Sequence, residues 1–203
     1  MALNTRVFVS DVDNLGDGRY CAGMGVELIG FPIEASHKRY VSPDKFKEIA
    51  SWLAGIKFAG ELYETADINL EEYEAIDVLV TDNPALVNDL SKLGKPLIFR
   101  IKVENNLSEI EQQMSILEQQ VEMFQLEFDE TLSEDTLKQL KTFTEEYKIL
   151  IAGGFDENSI NDVLETVNPE GIALKGGSEV AVGVNTFDGL VEVIEAIEAD
   201  EWE

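Results

Sequence analysis

One feature narrows the folds open to this chain more than any other. A short run of β-branched or aromatic residues gives way to a stretch with helical spacing, and the pair recurs from one end to the other. The runs fall at 6–10, 26–32, 56–62, 76–81, 96–103, 122–128, 149–152 and 171–175. Most are nearly continuous in apolar character, as strands buried on both faces must be. Helical signals lie between them. Ser42 followed by Pro43 predicts a cap and a first helical residue, with Phe46, Ile49, Ala50 and Leu53 on one stripe. Ser108 with Glu111 reads as a capping box, Asp156 as the cap of the helix carrying Ile160 and Val163, and 70–73 as a short helix. Cys21 and Trp52 are expected to pack on helices, and Trp202 to lie in an acidic helical tail.

Strand–helix alternation closes either as an open doubly wound sheet or as a ring. About eight units of roughly 25 residues exceed the usual open sheet and fit a small (β/α)8 TIM barrel. The expectation is therefore an α/β chain forming one barrel domain over 1–203. The apolar fraction of 44% is ordinary for a globular chain, and no apolar run is long enough to span a bilayer. No secretory leader is visible at 1–6, and the single cysteine excludes a disulfide framework or a cysteine metal cluster; a cytoplasmic location is expected. Fifteen basic residues against 41 acidic ones give a net charge of −26. Such a surface repels phosphate backbones and anionic lipid, so neither nucleic acid nor membrane is an expected partner.

Two glycine pairs follow the last two predicted strands, Gly153-Gly154 and Gly176-Gly177. Loops after strands seven and eight of a barrel commonly hold phosphate, and backbone N–H groups reach its oxygens best where no Cβ intervenes. Lys175 adds a neighbouring cation. A tight turn at each pair is the competing explanation.

At this point the sequence resembles a family. Asp13-Asn14-Leu15-Gly16-Asp17 with Ala22-Gly23-Met24-Gly25-Val26-Glu27-Leu28-Ile29-Gly30-Phe31 is similar to the first strand–helix–strand unit of phosphoribosylanthranilate isomerases. Arg39-Tyr40-Val41-Ser42-Pro43, Lys95-Pro96-Leu97-Ile98, Ile151-Ala152-Gly153-Gly154, Asn168-Pro169-Glu170-Gly171-Ile172, Gly177-Ser178-Glu179 and Gly183-Val184 continue the likeness in order. The resemblance implies an Amadori rearrangement of a phosphoribosyl-amine in tryptophan biosynthesis, an aldose–ketose isomerisation with no cofactor and no metal. The implied partner is a small sugar phosphate, bound by a monomer or homodimer. An acid protonates the ribose ring oxygen and a base removes the C2 proton.

The chain departs from the family pattern where the chemistry would be. The family's base is a cysteine on the first strand; here Ser10 takes its place in the ungapped register, and Phe8 with a gap of two. A hydroxyl is a poor base without an activating partner, so the adjacent Asp11 is the candidate replacement. Glu127 stands for the family's acidic aspartate at the end of the sixth strand, with Asp129 as second choice. Asp82 stands where the family has a histidine and is expected to face the substrate, as is Arg39, the implied partner of the anthranilate carboxylate. His37 is expected at the rim. The alternative to an active isomerase is a catalytically altered or non-catalytic phosphate-binding barrel acting on another sugar phosphate.

Overall fold

The computed structural model describes residues 2–104, 106–176, 178–181, 184–186 and 188–199. Eight parallel strands close into a barrel in sequence order: β1 (Arg6–Ser10), β2 (Leu28–Pro32), β3 (Lys57–Glu61), β4 (Val78–Thr81), β5 (Leu97–Lys102), β6 (Met123–Phe128), β7 (Ile149–Gly153) and β8 (Gly171–Lys175). Closure is made by β1 against β8, with Arg6 opposite Gly171 and Ser10 opposite Lys175. Each run predicted from the sequence contains a strand, trimmed by up to two residues at its ends, except that β7 extends one residue further.

The outer layer is α1 (Leu15–Gly23), α2 (Pro43–Ser51), α3 (Pro84–Leu90), α4 (Leu107–Leu117), α5 (Glu134–Thr144), α6 (Ile160–Val167) and α7 (Asp188–Ala196). Ser42 caps α2 through Lys45 N–H with Pro43 in the first turn, as expected. Two caps differ from the sequence reading. Asn106, not Ser108, caps α4, because its side chain accepts from the Ser108 amide. Asp156 instead closes a turn ahead of α6, accepting from the amides of Asn158 and Ser159 at 3.1 and 3.0 Å. Residues Leu70–Tyr73 form a 3-10 turn. A hairpin of β9 (Ser178–Ala181) and β10 (Val184–Thr186), absent from the sequence reading, follows β8.

Alternate residues of each strand point into the ring. One from each strand, Phe8, Leu28, Ala59, Val80, Ile98, Met123, Leu150 and Ala173, fills the interior as a separate apolar cluster. Their neighbours face the helices in the larger core. There Phe46 of α2 meets Phe31 edge-on at 5.4 Å and Phe58 at 5.7 Å. Burying one such ring contributes about 1.5–3 kcal/mol. Cys21 is sealed in this layer, and burial pushes its thiol up to about 12, so it is an inert packing group. Trp52 does not pack as expected. It lies past the end of α2, 62% exposed, under the guanidinium of Arg19 at 5.1 Å. The described segments nearest the two ends meet at the barrel's base, where Asn4 N–H donates to Ile197 O and Ala199 N–H to Ala2 O. Trp202 lies outside the described residues, and no described helix is long and apolar enough to cross a membrane.

Candidate active site

The strand period places the site. Above the apolar layer the next inward positions are Ser10, Gly30, Glu61, Arg100, Gln125, Ala152 and Lys175, and one step further comes Glu127. All lie at the C-terminal ends of their strands, the end at which such barrels carry their chemistry.

The centre of this level is an ion pair that the sequence reading missed. Glu61 is completely buried, and Arg100 Nη2 lies 3.4 Å from its Oε1. β3 and β5 are not neighbours, so the contact crosses the interior rather than running along the sheet. Gly30 provides the room, since a Cβ there would stand 2.2 Å from Glu61 Oε1. On its other side Arg100 Nε approaches Glu127 Oε1 at 3.3 Å, without the alignment of a hydrogen bond. Gln125 donates to the same Glu127 oxygen at 2.8 Å. Burial pushes the Glu61 carboxyl up, opposed by Arg100 and reinforced by the charge of Asp11. Arg100 is held charged, because Glu61, Tyr63 and Glu127 outweigh its own burial. A Glu at an inward position of β3 and an Arg at an inward position of β5, both in otherwise apolar strands, were the available signal.

Asp11 leaves β1 with φ 59°, a left-handed conformation that side chains seldom adopt. Its amide reaches toward both Glu61 oxygens at 3.3 and 3.4 Å, and its carboxylate lies 3.5 Å from the Tyr63 hydroxyl. Tyr63 in turn donates to Glu61 Oε2 at 2.8 Å. Asp11 and Glu127 therefore flank one buried pair from opposite sides. Ser10 is buried, with its hydroxyl donating to Leu174 O at 3.3 Å. Phe8, the alternative position for a missing cysteine, is one of the interior apolar layer.

A cavity of about 340 Å³ opens between the ends of β6, β7, β8 and β1. Ser10, Gln125, Glu127, Asp129, Gly153, Phe155, Lys175, Gly189 and Leu190 are among its walls. Its volume and mixed lining suit a small polar molecule. Asp129 reaches it but is largely exposed and bridged to Lys102 at 2.9 Å. A larger depression of about 900 Å³ lies at the opposite end, around Arg6, Glu27 and Glu170. Arg6 is already tied there to Glu27 at 2.9 Å and Glu170 at 2.5 Å, and that end of a barrel serves stability, so the smaller cavity is the candidate site.

The glycine pairs separate on inspection. Gly153 and Gly154 adopt φ 70° and 74°, and a Cβ on Gly153 would meet Phe128 O at 2.3 Å. The backbone path therefore demands glycine there, and Gly153 also lines the cavity. The Gly176 amide donates to Ser10 O at 2.7 Å, which leaves it no hydrogen for a ligand. Gly177 lies outside the described residues. Among the described residues, the exposed Lys175 side chain and Gly189 in the first turn of α7 offer further donors at this end.

Arg39 sits beside the mouth, with Nε 2.9 Å from Asp13 Oδ2 and an Nη 3.9 Å from Asp17. Burial alone would raise the Asp13 carboxyl, yet Arg39 and Asn14 hold it below its ordinary value. His37 stacks on Tyr63, rings 4.7 Å apart and 14° from parallel, so its rim position carries an aromatic contact. Asp82 is exposed beyond β4 and is not among the cavity's walls. Glu34 organises the loop after β3, accepting from the amides of Tyr63 and Glu64 at 2.7 and 2.8 Å. Among the described residues no group of three or more His, Cys, Asp or Glu side chains is placed to hold a metal ion.

Comparison with known proteins gives a consistent result at two levels. The chain is 26% identical over 211 residues to N-(5'-phosphoribosyl)anthranilate isomerase of Aquifex aeolicus, spanning 96% of this chain and 99% of that one. It is 22% identical to the Leptospira interrogans protein of the same name, over 96% and 95% of the two chains. Among solved structures, a phosphoribosyl anthranilate isomerase in complex with reduced 1-(o-carboxyphenylamino)-1-deoxyribulose 5-phosphate superposes with a TM-score of 0.73 at 18% identity, covering 95% of this chain and 98% of that one. The Thermus thermophilus enzyme gives 0.72 at 18% identity, with the same coverage. At these identities the superpositions establish the barrel. No family model matches the sequence.

Proposed function

We propose, on the premise that this chain belongs to the phosphoribosylanthranilate isomerase family, that it carries out the family's Amadori rearrangement with a substituted acid–base pair. The observation that carries this reading is the placement of Glu127 and Asp11 on opposite flanks of the Glu61–Arg100 pair, with Glu127 lining the cavity beyond β7 and β8 and Asp11 following its wall residue Ser10.

In this reading the phosphate lies by Gly153, Lys175 and the start of α7, which fixes the sugar relative to both carboxyls. Glu127 donates a proton to the ribose ring oxygen, and the ring C–O bond breaks to leave an iminium at C1. Asp11 takes the proton from C2, and its electron pair forms the C1–C2 double bond of an enol-amine. Protonation at C1 and loss of the hydroxyl proton give the ketose. Arg39 faces the carboxylate of the aromatic ring once it exchanges Asp13 for that partner. Ser10 shapes the floor between the two carboxyls.

The test is direct. Purified protein is mixed with phosphoribosylanthranilate, and the decay of anthranilate-type fluorescence is followed. Turnover is expected, with Glu127→Gln and Asp11→Asn each lowering kcat by about 10²–10⁴-fold and Asp129→Asn leaving it near the parent value. Folded parent protein with no turnover would overturn the assignment.

A further inference from the structure

The proposed rearrangement has no task for Tyr63, yet its hydroxyl lies between two carboxylates at the mouth. It lies 2.8 Å from Glu61 Oε2 and 3.5 Å from Asp11 Oδ1. The ring is fixed by the His37 stack, its amide by the Glu34 carboxylate and its carbonyl by Asn83 Nδ2 at 3.0 Å. A phenol has one proton to give, so it cannot donate to two carboxylates at once. One further proton on either carboxyl would make both contacts hydrogen bonds. Either Glu61 is protonated and donates to Tyr63, which donates to Asp11, or Asp11 is protonated and donates to Tyr63, which donates to Glu61. Both arrangements hold the same two protons and one negative charge. They interconvert by one proton hop across each hydrogen bond, with no phenolate at either end.

The surroundings favour sharing. Glu61 is fully buried, while Asp11 is partly open to the mouth. The charged and titratable groups facing the trio are Arg100 on β5, which also hydrogen-bonds the Tyr63 side chain, Glu127 on β6 beyond it, and Glu34, His37 and Arg39 on the loop after β2. Arg100 balances the one negative charge. Burial pushes both Glu61 and Tyr63 up, which keeps the phenol neutral and leaves Glu61 able to hold the proton.

We propose that Asp11, Tyr63 and Glu61 share a single carboxyl proton, with Tyr63 the positioning residue that links the two acids so that they titrate as one unit. The catalytic consequence rests on the isomerase reading above. With the shared proton on Glu61, Asp11 stays ionised and ready to accept the C2 proton. The 3.5 Å contact is long and would tighten when a substrate closes the mouth.

The experiment is a ¹³C NMR titration of Asp and Glu side-chain carboxyls in the full chain between about pH 4 and 9, with Asp11→Asn and Glu61→Gln used for assignment. The Asp11 and Glu61 signals should each move through the same two midpoints, and Tyr63→Phe should convert them to independent single steps. Independent single steps in the parent chain would overturn the proposal without any variant having to fold. In the isomerase assay Tyr63→Phe should lower kcat roughly tenfold to a hundredfold, leave KM unchanged and displace the acidic limb of the kcat–pH profile. A parent-like profile in that variant would overturn the catalytic role. A coupled titration in a chain that turns nothing over would leave the shared proton standing and remove the isomerase assignment.

Discussion

Arg100 on β5 and Glu61 on β3 form an ion pair of 3.4 Å across the inside of the barrel, with the strand between them contributing no charge to it. An ion pair removed from water is held by its mutual attraction, and removing Arg100 leaves the negative charge of the Glu61 site without its counter-charge. Arg100→Met should therefore cost about 3–5 kcal/mol at neutral pH, measured by urea denaturation, and less as the pH falls and Glu61 takes up a proton. A loss below about 1 kcal/mol at neutral pH would place the pair among exposed surface bridges instead.

Stability should also depend on pH through Glu61. Burial raises its folded pKa, Arg100 only partly opposing this. The folded chain thus binds this proton more tightly than the unfolded one. The contribution is complete below the ordinary glutamate value of 4.5 and is lost as pH rises through the raised one. Asp13, Glu27 and Glu34 are shifted downward against their own burial and give the opposite slope at acid pH, so the comparison must be between variants. Denaturation midpoints of the parent and Glu61→Gln, followed upward from pH 4.5, should diverge in favour of the variant. Parallel curves would refute the assignment of a raised pKa.

Gly30 is the interior counterpart of Glu61. An added methyl would lie 2.2 Å from Glu61 Oε1 and 3.0 Å from Phe8. Gly30→Ala should cost about 1–3 kcal/mol by overpacking, whereas Gly23→Ala, on a helix with nothing within 4 Å, should be neutral or slightly stabilising. Equal melting shifts in the two variants would show that the Glu61 site is loose.

Two glycines with almost the same backbone angle should separate strain from contact. Gly153 and Gly94 have φ 70° and 74°, but a Cβ on Gly153 meets Phe128 O at 2.3 Å while one on Gly94 meets nothing within 4 Å. Gly94→Ala should cost about 1–2 kcal/mol, the price of the left-handed backbone alone. Gly153→Ala should exceed it clearly in the same denaturation series, because the Phe128 carbonyl belongs to β6 and cannot yield cheaply.

Much of the architecture could be read before any coordinates. All eight barrel strands lie within or against the apolar runs, and the Ser42–Pro43 cap stands where residue chemistry places it. These are local properties: side-chain period, capping and turn preference act over a few residues, so one stretch of chain is enough to reveal them. Where two local solutions compete, as Asn106 and Ser108 do ahead of α4, the sequence alone chose the wrong one. Asp156 was misread for the same reason, its carboxylate closing the turn that precedes α6.

The candidate site divides along the same line. Ser10, Asp11, Glu127 and Gly153 were reached from strand-end position and resemblance; Ser10, Glu127 and Gly153 line one cavity, and Asp11 follows Ser10 beside Glu61. Glu61, Tyr63 and Arg100, which bind that mouth together, were not found, and the availability of the Gly176 amide was misjudged. By itself the chain's order of residues determined that there would be eight barrel strands, roughly where each begins, and which carry polar groups at their ends, though not the hairpin after β8. Only closure of the ring decided that a glutamate on the third strand and an arginine on the fifth would meet, because that contact depends on the tilt and register of strands far apart in sequence, and no local pattern encodes a distance across the interior.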